Sequence, residues 1–291
     1  MKTGVRGFHP VSSFLFFFGV FTVTLFTLNP YLLAESLFCS AALDIRLRGK
    51  KALRGILTFI LPTAVLITLF NAVFAHYGVT VLFTPKGGNN VTLEAIVCGA
   101  VYAVRTVCVV LWLFCFNEIV SEEKFIFLFA RVSPRLALVL SMVLRFLPLF
   151  SAHAEEIQTA RRGLGFDSKS GSVSSRFKNS VRCVSILITR SLERAIDTAD
   201  SMLARGYSLK GRTNCMTYPV RAADFVLGGL SVFSCVLFLV FKNSVFCEYN
   251  PVIFIEPPSV KGAAVCCFFL ALCASPFIFD LSEEKLWSIS N

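Results

Sequence analysis

Residues 95–120 read AIVCGAVYAVRTVCVVLWLFCFNEIV. Arg105 is the one charge in this run before Glu118. A helix rises 1.5 Å per residue, so the run reaches about 39 Å, beyond the ~30 Å hydrocarbon core of a bilayer. Its apolar residues are continuous and do not alternate with polar ones, which points to a membrane helix rather than a strand of a membrane barrel. Five further apolar stretches lie on either side: Val11–Leu28, Tyr31–Leu43, Ile56–Tyr77, Ala222–Phe241 and Gly262–Phe279. Across 291 residues, 55% are apolar, 16% are charged and 31 are Phe. Mean hydropathy is +0.71. A soluble domain carries about a quarter charged residues, so a soluble enzyme, a secreted domain and a disordered chain are excluded. The expected fold is an all-α integral membrane protein of about six spans.

The formal charge of +10 is assigned to loops rather than to nucleic acid, because Lys and Arg concentrate on the cytoplasmic side of membrane proteins. With both termini in the cytoplasm, six spans place 24 of the 28 Lys and Arg inside and only Lys86, Lys242 and Lys261 outside. Arg105 lies within a span. The expectation is therefore a multi-pass membrane protein, N-in and C-in. The first 28 residues have no A-x-A-like cleavage site after them and are kept as a span. Leu136–Leu144, nine apolar residues between Arg135 and Arg145, is too short to cross and is placed at the interface. Three regions result: a membrane domain of four spans over 1–120, a cytoplasmic block over 121–221, and a two-span hairpin over 222–291.

Within the block, Ser133-Pro134 reads as a helix start, a capping hydroxyl followed by Pro at the first helical position. The helix is expected to reach Arg162, with Pro148 kinking it and Gly163 and Gly165 ending it. A second helix is expected over about Arg176–Arg205. Phe177, Val181, Val184, Ile188, Leu192, Ala195, Ala199 and Met202 recur at spacings of three and four, one stripe of a helix. Gly206 is its natural terminator. Both helices thus end in a cluster of Ala, Arg and Gly: Ala160-Arg161-Arg162 with Gly163, and Ala204-Arg205-Gly206. Such clusters serve as ordinary helix ends, since Arg offsets the dipole and Gly caps. They also serve as docking points, since small residues admit a close partner and guanidinium forks bind carboxylates and carbonyls.

These residues resemble a known family, the transmembrane T component of energy-coupling factor (ECF) vitamin and metal importers. Arg145-Phe146-Leu147-Pro148 looks like the family's Arg-Phe-x-Pro element. Ala204-Arg205-Gly206 matches its second Ala-Arg-Gly/Ser motif. Ala160-Arg161-Arg162 resembles the first motif with Arg in place of Gly, which leaves Arg161 and Arg162 both open for the role. The resemblance implies two long amphipathic coupling helices, two cytoplasmic ABC ATPase subunits docked at Ala160, Arg161, Arg162, Ala204, Arg205 and Gly206, and a membrane S component that binds substrate. No catalytic residue, cofactor or metal site is implied. The chain has no G-x-x-x-x-G-K-[ST] loop for hydrolysing ATP itself.

Two rival readings remain. An ordinary ABC importer permease binds substrate itself but typically couples through one short loop. Asp197-x-x-Asp200-Ser201-x-x-Ala204-Arg205 begins like a CDP-alcohol phosphotransferase motif. It then fails, with Ser201, Asn214, Tyr218 and Ala222 where the motif needs Gly, Gly, Asp and Asp. Arg105 and Glu35 are read as structural intramembrane charges and paired by depth, because a lone Arg at mid-membrane costs about 2.5–3.5 kcal/mol. His9, His76 and His153 have no metal-ligand spacing. Cys39, Cys98, Cys108, Cys115, Cys235, Cys266, Cys267 and Cys273 read as small buried apolar residues. Phe8, Phe14, Phe16, Phe17, Phe18 and Phe21 are assigned to lipid or partner contact.

Overall fold

The structure is a computed structural model that describes residues 7–75, 78–83, 91–166, 172–207, 209, 218, 220–249, 254–255 and 259–290. His76 and the Gly87–Asn90 turn lie outside these residues. The chain divides into two compact units, residues 1–125 with 218–291, and residues 126–217.

The first unit is a helical bundle: α1 (Pro10–Phe26), α2 (Pro30–Arg48), α3 (Lys50–Gly55), α4 (Leu61–Phe74), α5 (Leu93–Ile119), α9 (Ala222–Val240) and α10 (Val260–Ser290). The chain reaches α9 after α6 (Glu122–Val132), α7 (Pro134–Gly163) and α8 (Val173–Ala204). Two short antiparallel ribbons sit in the loops, β1 (Val81–Phe83) with β2 (Val91–Thr92) and β3 (Cys247–Glu248) with β4 (Phe254–Ile255). Among the described residues five helices, Lys50–Phe74, Leu93–Ile119, Arg135–Gly163, Ala222–Val240 and Val260–Asp280, are long and apolar enough to cross a membrane by length and composition; α1 is shorter.

Local chemistry sets the breaks. Thr27 closes α1 and Asn29 opens α2, its side chain accepting from Tyr31 N at 3.0 Å with Pro30 in the first turn. Pro62 lacks the N–H an α-helix needs, and the turn before it widens into five π-helical residues, Ile56–Ile60, with Leu61 N bonding back to Ile56 O. The second apolar stretch extends beyond its expected end at Leu43 to Arg48. It survives Glu35, Asp44, Arg46 and Arg48 because Leu32, Leu33, Ser36, Ser40 and Leu43 are buried and Asp44 ion-pairs with Arg48 at 3.5 Å.

Contact registers give each helix a direction. Helices α2 and α5 run parallel: Cys108 Sγ meets Leu33 O, Trp112 Nε1 donates to Ser36 Oγ at 2.9 Å, and Cys115 Sγ meets Ser40 O. Helices α1 and α5 are antiparallel, with Phe14 on Phe116, Phe17 on Trp112 and Arg105 against Leu25 O. Helices α4 and α5 are also antiparallel. Gly99 sits so close to α4 that a Cβ there would fall 2.8 Å from Asn71 Cβ and 3.1 Å from Thr68 O, while Thr106 and Val110 line one cavity with Ala64 and the buried Ile60. Helix α9 parallels α1, since His9 N donates to Asp224 at 2.8 Å and the Ser231 hydroxyl to Leu15 O. Helix α10 parallels α2, with the Cys39 thiol on Cys273 and Arg46 paired to Asp280 at 2.8 Å. So α1, α4 and α9 point one way and α2, α5 and α10 the other. The block between α5 and α9 therefore leaves and re-enters the bundle on one side and makes no net crossing. Leu136–Leu144, expected as a short interfacial stretch, instead forms the first third of one 30-residue helix, which is itself long and apolar enough to cross a membrane by length and composition.

The aromatic core corrects one expectation. Phe8, Phe16 and Phe17 are buried with Trp112, Phe238 and Phe269, and only Phe18 of the group is well exposed. Face-to-edge packing of Phe14, Phe16 and Phe17 on Trp112 and Phe116 uses these rings inside the bundle instead of toward lipid. Cys98, Cys108, Cys115 and Cys273 are buried as expected and Cys39, Cys235 and Cys266 partly so, but Cys267 is exposed.

Candidate functional site

The second unit is built on α7 and α8. They lie antiparallel: Arg194 donates to His153, Arg190 pairs with Glu156 at 3.1 Å, and Arg161 donates to Asn179 at 3.3 Å. Pro134 occupies the first turn of α7, as its fixed φ allows, but the Ser133 hydroxyl makes no cap hydrogen bond. Pro148 lies inside the helix, and the Ser151 hydroxyl bonds its carbonyl at 2.8 Å.

Helix α8 turns a mixed face toward α7. Cys183 is its buried residue, and Leu187, Arg190, Ser191, Arg194, Thr198 and Met202 are half-buried along the same side. The apolar stripe is left uncovered. Phe177 is 73% exposed, Ile188 55% and Leu192 61%, with Val181 and Val184 similar. Helix stability in water comes mostly from burying such a stripe, so a 32-residue helix that leaves it open is shaped for a partner or a membrane surface.

Both helices end in the same device. At the end of α7, Phe166 N bonds Arg161 O and Gly165 N bonds Arg162 O, with Gly165 at φ +82. At the end of α8, Tyr207 N bonds Met202 O and Gly206 N bonds Leu203 O, with Gly206 at φ +76. Each is a Schellman motif, which only glycine enters at no steric cost. The glycine that terminates α7 is therefore Gly165, two residues beyond Gly163.

This common terminus provides a register. Arg205 stands one residue before its glycine, Arg162 three before and Arg161 four before. At 100° per residue, Arg161 lies about 60° around the helix from the position matching Arg205, whereas Arg162 lies about 160° away. Arg161 is half-buried, bonded to Asn179 and set 5.9 Å over the Phe166 ring. Arg162, Ala160, Ala204 and Arg205 are exposed. The Arg205 side chain has no hydrogen bond or ion pair among the described residues, its backbone N–H bonding Ser201 O. The two ends are far apart. Arg161 sits opposite Asn179, and Arg205 lies about 26 residues further along α8, about 39 Å at helical rise.

The intramembrane charges do not pair with each other. Arg105 donates to Leu25 O at 3.4 Å and stacks on Tyr102 at 5.1 Å, while Glu35 Oε2 is buried without a hydrogen bond among the described residues. The α2–α5 register explains this. Cys108 matches Leu33 and Trp112 matches Ser36, so Glu35 lies level with about residue 111, about six residues or 9 Å along the axis from Arg105.

The first unit also buries charged side chains. Lys124 is 3% exposed and Asp224 2%. The Asp224 carboxylate accepts from His9 N at 2.8 Å and Arg221 N at 2.9 Å. Asp224 was legible as an acid at the third position of a helix. Lys124, one cation in a Glu-Glu-Lys run, carried no signal of burial. Among the described residues no group of three or more His, Cys, Asp and Glu gathers as a metal site would require. Asp197 and Asp200 are exposed on α8.

Comparison with known proteins agrees with this architecture. The family described as CbiQ, cobalt transport protein, matches residues 5–215. The energy-coupling factor transporter transmembrane protein EcfT of Listeria innocua is 33% identical over 186 residues, covering 60% of this chain and 70% of that protein. EcfT of Limosilactobacillus fermentum is 34% identical over 107 residues, 36% of this chain and 40% of that protein. EcfT of Exiguobacterium sibiricum is 37% identical over 79 residues, 27% and 30%. A bundle of membrane-crossing helices, two glycine-terminated helices with arginine at their ends and a family match over most of the length lead to one assignment: the chain belongs to the CbiQ cobalt transport protein family and is a multi-pass membrane component of a transporter.

Proposed function

We propose that this chain is the coupling subunit of an ATP-driven ECF importer. It links two cytoplasmic ABC ATPases to a membrane S component that binds a vitamin or a metal ion. Residues 121–221 form the coupling domain, residues 1–120 and 222–291 hold it in the membrane, and both termini face the cytoplasm of a bacterial or archaeal cell.

One observation carries this reading. Two similarly built helix ends, each with glycine at its terminus and arginine within its last turn, lie about 39 Å apart at opposite ends of an antiparallel pair. A single partner site needs one such end; a pair of like subunits needs two. Arg205 offers a guanidinium without a partner among the described residues. Arg161, the arginine nearer in register, is held in place by Asn179 and Phe166. Each suits a carboxylate or a row of carbonyls on an ATPase. The uncovered stripe from Phe177 to Leu192 suits an apolar surface of the S component. Closing and opening of the ATPases would displace the two ends, and the helices would pass the motion to the S component.

The test is purification of the tagged full chain from its native membrane in mild detergent, with mass spectrometry of what accompanies it. Two ATPases and a small membrane protein are expected. ATPases with a soluble binding protein would instead assign an ordinary permease, and recovery of the chain alone would refute the coupling role.

A further inference from the structure

The end of α2 and the short helix α3 carry five cations, Arg46, Arg48, Lys50, Lys51 and Arg54. Two are already used. Arg46 pairs with Asp280 at 2.8 Å. Arg48 pairs with Asp44 at 3.5 Å and lies 4.6 Å over the Phe114 ring. Lys50, Lys51 and Arg54 are exposed, and none of their side chains has a hydrogen bond or ion pair among the described residues.

Their placement is not that of scattered surface charge. Gly49, at φ +59, ends α2 and starts a new helix. On that helix Lys50, Arg54 and Lys51 fall within an arc of about 100°. Ala52, fully buried, faces the opposite way into the bundle. Immediately beyond the three cations the outward surface becomes apolar, with Leu57 69%, Phe59 62% and Leu61 55% exposed. Helical side chains lean toward the N-terminus, so the cations lean away from this apolar surface, toward where headgroups lie if Leu57, Phe59 and Leu61 face acyl chains.

We infer that Lys50, Lys51 and Arg54 form a binding site for the phosphate of an anionic phospholipid, whose acyl chains lie along Leu57, Phe59 and Leu61. A soluble acidic partner would meet the same charge but has no use for the apolar surface directly beside it; a lipid uses both. The site would anchor the start of α4, a helix that reaches the rest of the bundle mainly through α5.

Native mass spectrometry of the full chain from mixed micelles of equal phosphatidylglycerol and phosphatidylcholine tests this. Wild-type chain is expected to retain phosphatidylglycerol preferentially. Each cation at an anionic surface contributes roughly a five-fold preference, so Lys50→Gln/Lys51→Gln/Arg54→Gln is expected to lower the enrichment at least about tenfold. Lys242→Gln/Lys261→Gln, at the other end of the bundle, is expected to leave it nearly intact. Melting temperature of each variant, measured alongside, separates loss of the site from loss of the fold; if the triple variant unfolds, Lys51→Gln alone is expected to lower the enrichment severalfold. Undiminished enrichment in the folded triple or single variant would overturn the inference. So would an equal loss in the Lys242/Lys261 variant, or complete displacement of the lipid by millimolar inorganic phosphate, which would make the site one for the free anion.

Discussion

Replacing Lys124 with Met should stabilise this protein at neutral pH, although it removes a charge that faces Asp224. The Lys124 amine is 3% exposed, and its Nζ has no hydrogen-bond partner among the described residues. Burial pushes the amine down from its ordinary 10.5 to about 8, and the attraction of Asp224 only partly opposes this. The fall measures the net result of both effects, about 3 kcal/mol held against the charged form. Below pH 8 both folded and unfolded chains carry the proton, so the cost is fully present. Between about pH 8 and 10.5 the unfolded chain holds more protons than the folded one, and the cost disappears as pH rises. Met fills similar volume with no charge to desolvate. Lys124→Met should therefore melt about 5 °C higher than wild type at pH 7, with the gap closing by pH 10.5. Lys124→Arg, which cannot lose its proton, should gain no stability over that range. Scanning fluorimetry of the full chain in detergent at several pH values reads all three. A lower melting temperature for Lys124→Met at pH 7 would refute the reasoning, because it would mean that the Asp224 attraction outweighs desolvation.

Other consequences follow from close approaches and caps. Gly99→Val should separate α4 from α5, since a Cβ there meets Asn71 Cβ and Thr68 O within 3.1 Å; protease accessibility of the 75–92 loop should rise, and an unchanged digest would contradict the packing described. Gly206→Val forces a β-branched residue to φ +76, at a cost of roughly 1–2 kcal/mol, and should fray the last turn of α8 and weaken ATPase retention with little change in bundle melting. Trp112→Phe removes the 2.9 Å bond to Ser36 Oγ and should cost about 1–2 kcal/mol, less than the 3–5 kcal/mol of truncation to Ala; equal losses in both variants would place the whole effect in the hydrogen bond and contradict the packing role of the ring.

Much of the membrane architecture was readable because continuous apolar runs have few alternatives at these lengths. The long helices of the block were readable from Pro134, the 3–4 spacing of the α8 stripe, and Gly206. What stayed hidden depends on register between helices. Nothing in the sequence says that α2 and α5 run parallel with Ser36 opposite Trp112, and this offset keeps Glu35 and Arg105 apart. The six aromatic residues of Phe8–Phe21 have the same composition whether they face lipid or Trp112. The stripe on α8 was visible, but not that α8 would pack on α7 through Cys183, Leu187 and Arg194 and leave that stripe open. Arg161 and Arg162 are equivalent as text; their distances from Gly165 and Gly206, once those residues are seen at positive φ, set them on different faces.

The central claim is that the ends of α7 and α8 each hold one ATPase. It is tested most directly by counting ATPase subunits retained on the detergent-solubilised complex of Arg205→Glu, Arg161→Glu and the double variant, with uptake measured in parallel. Each single variant should lose about half of the ATPase and the double variant nearly all of it and all uptake, while bundle melting stays unchanged. Full retention and normal uptake in the folded double variant would contradict the account.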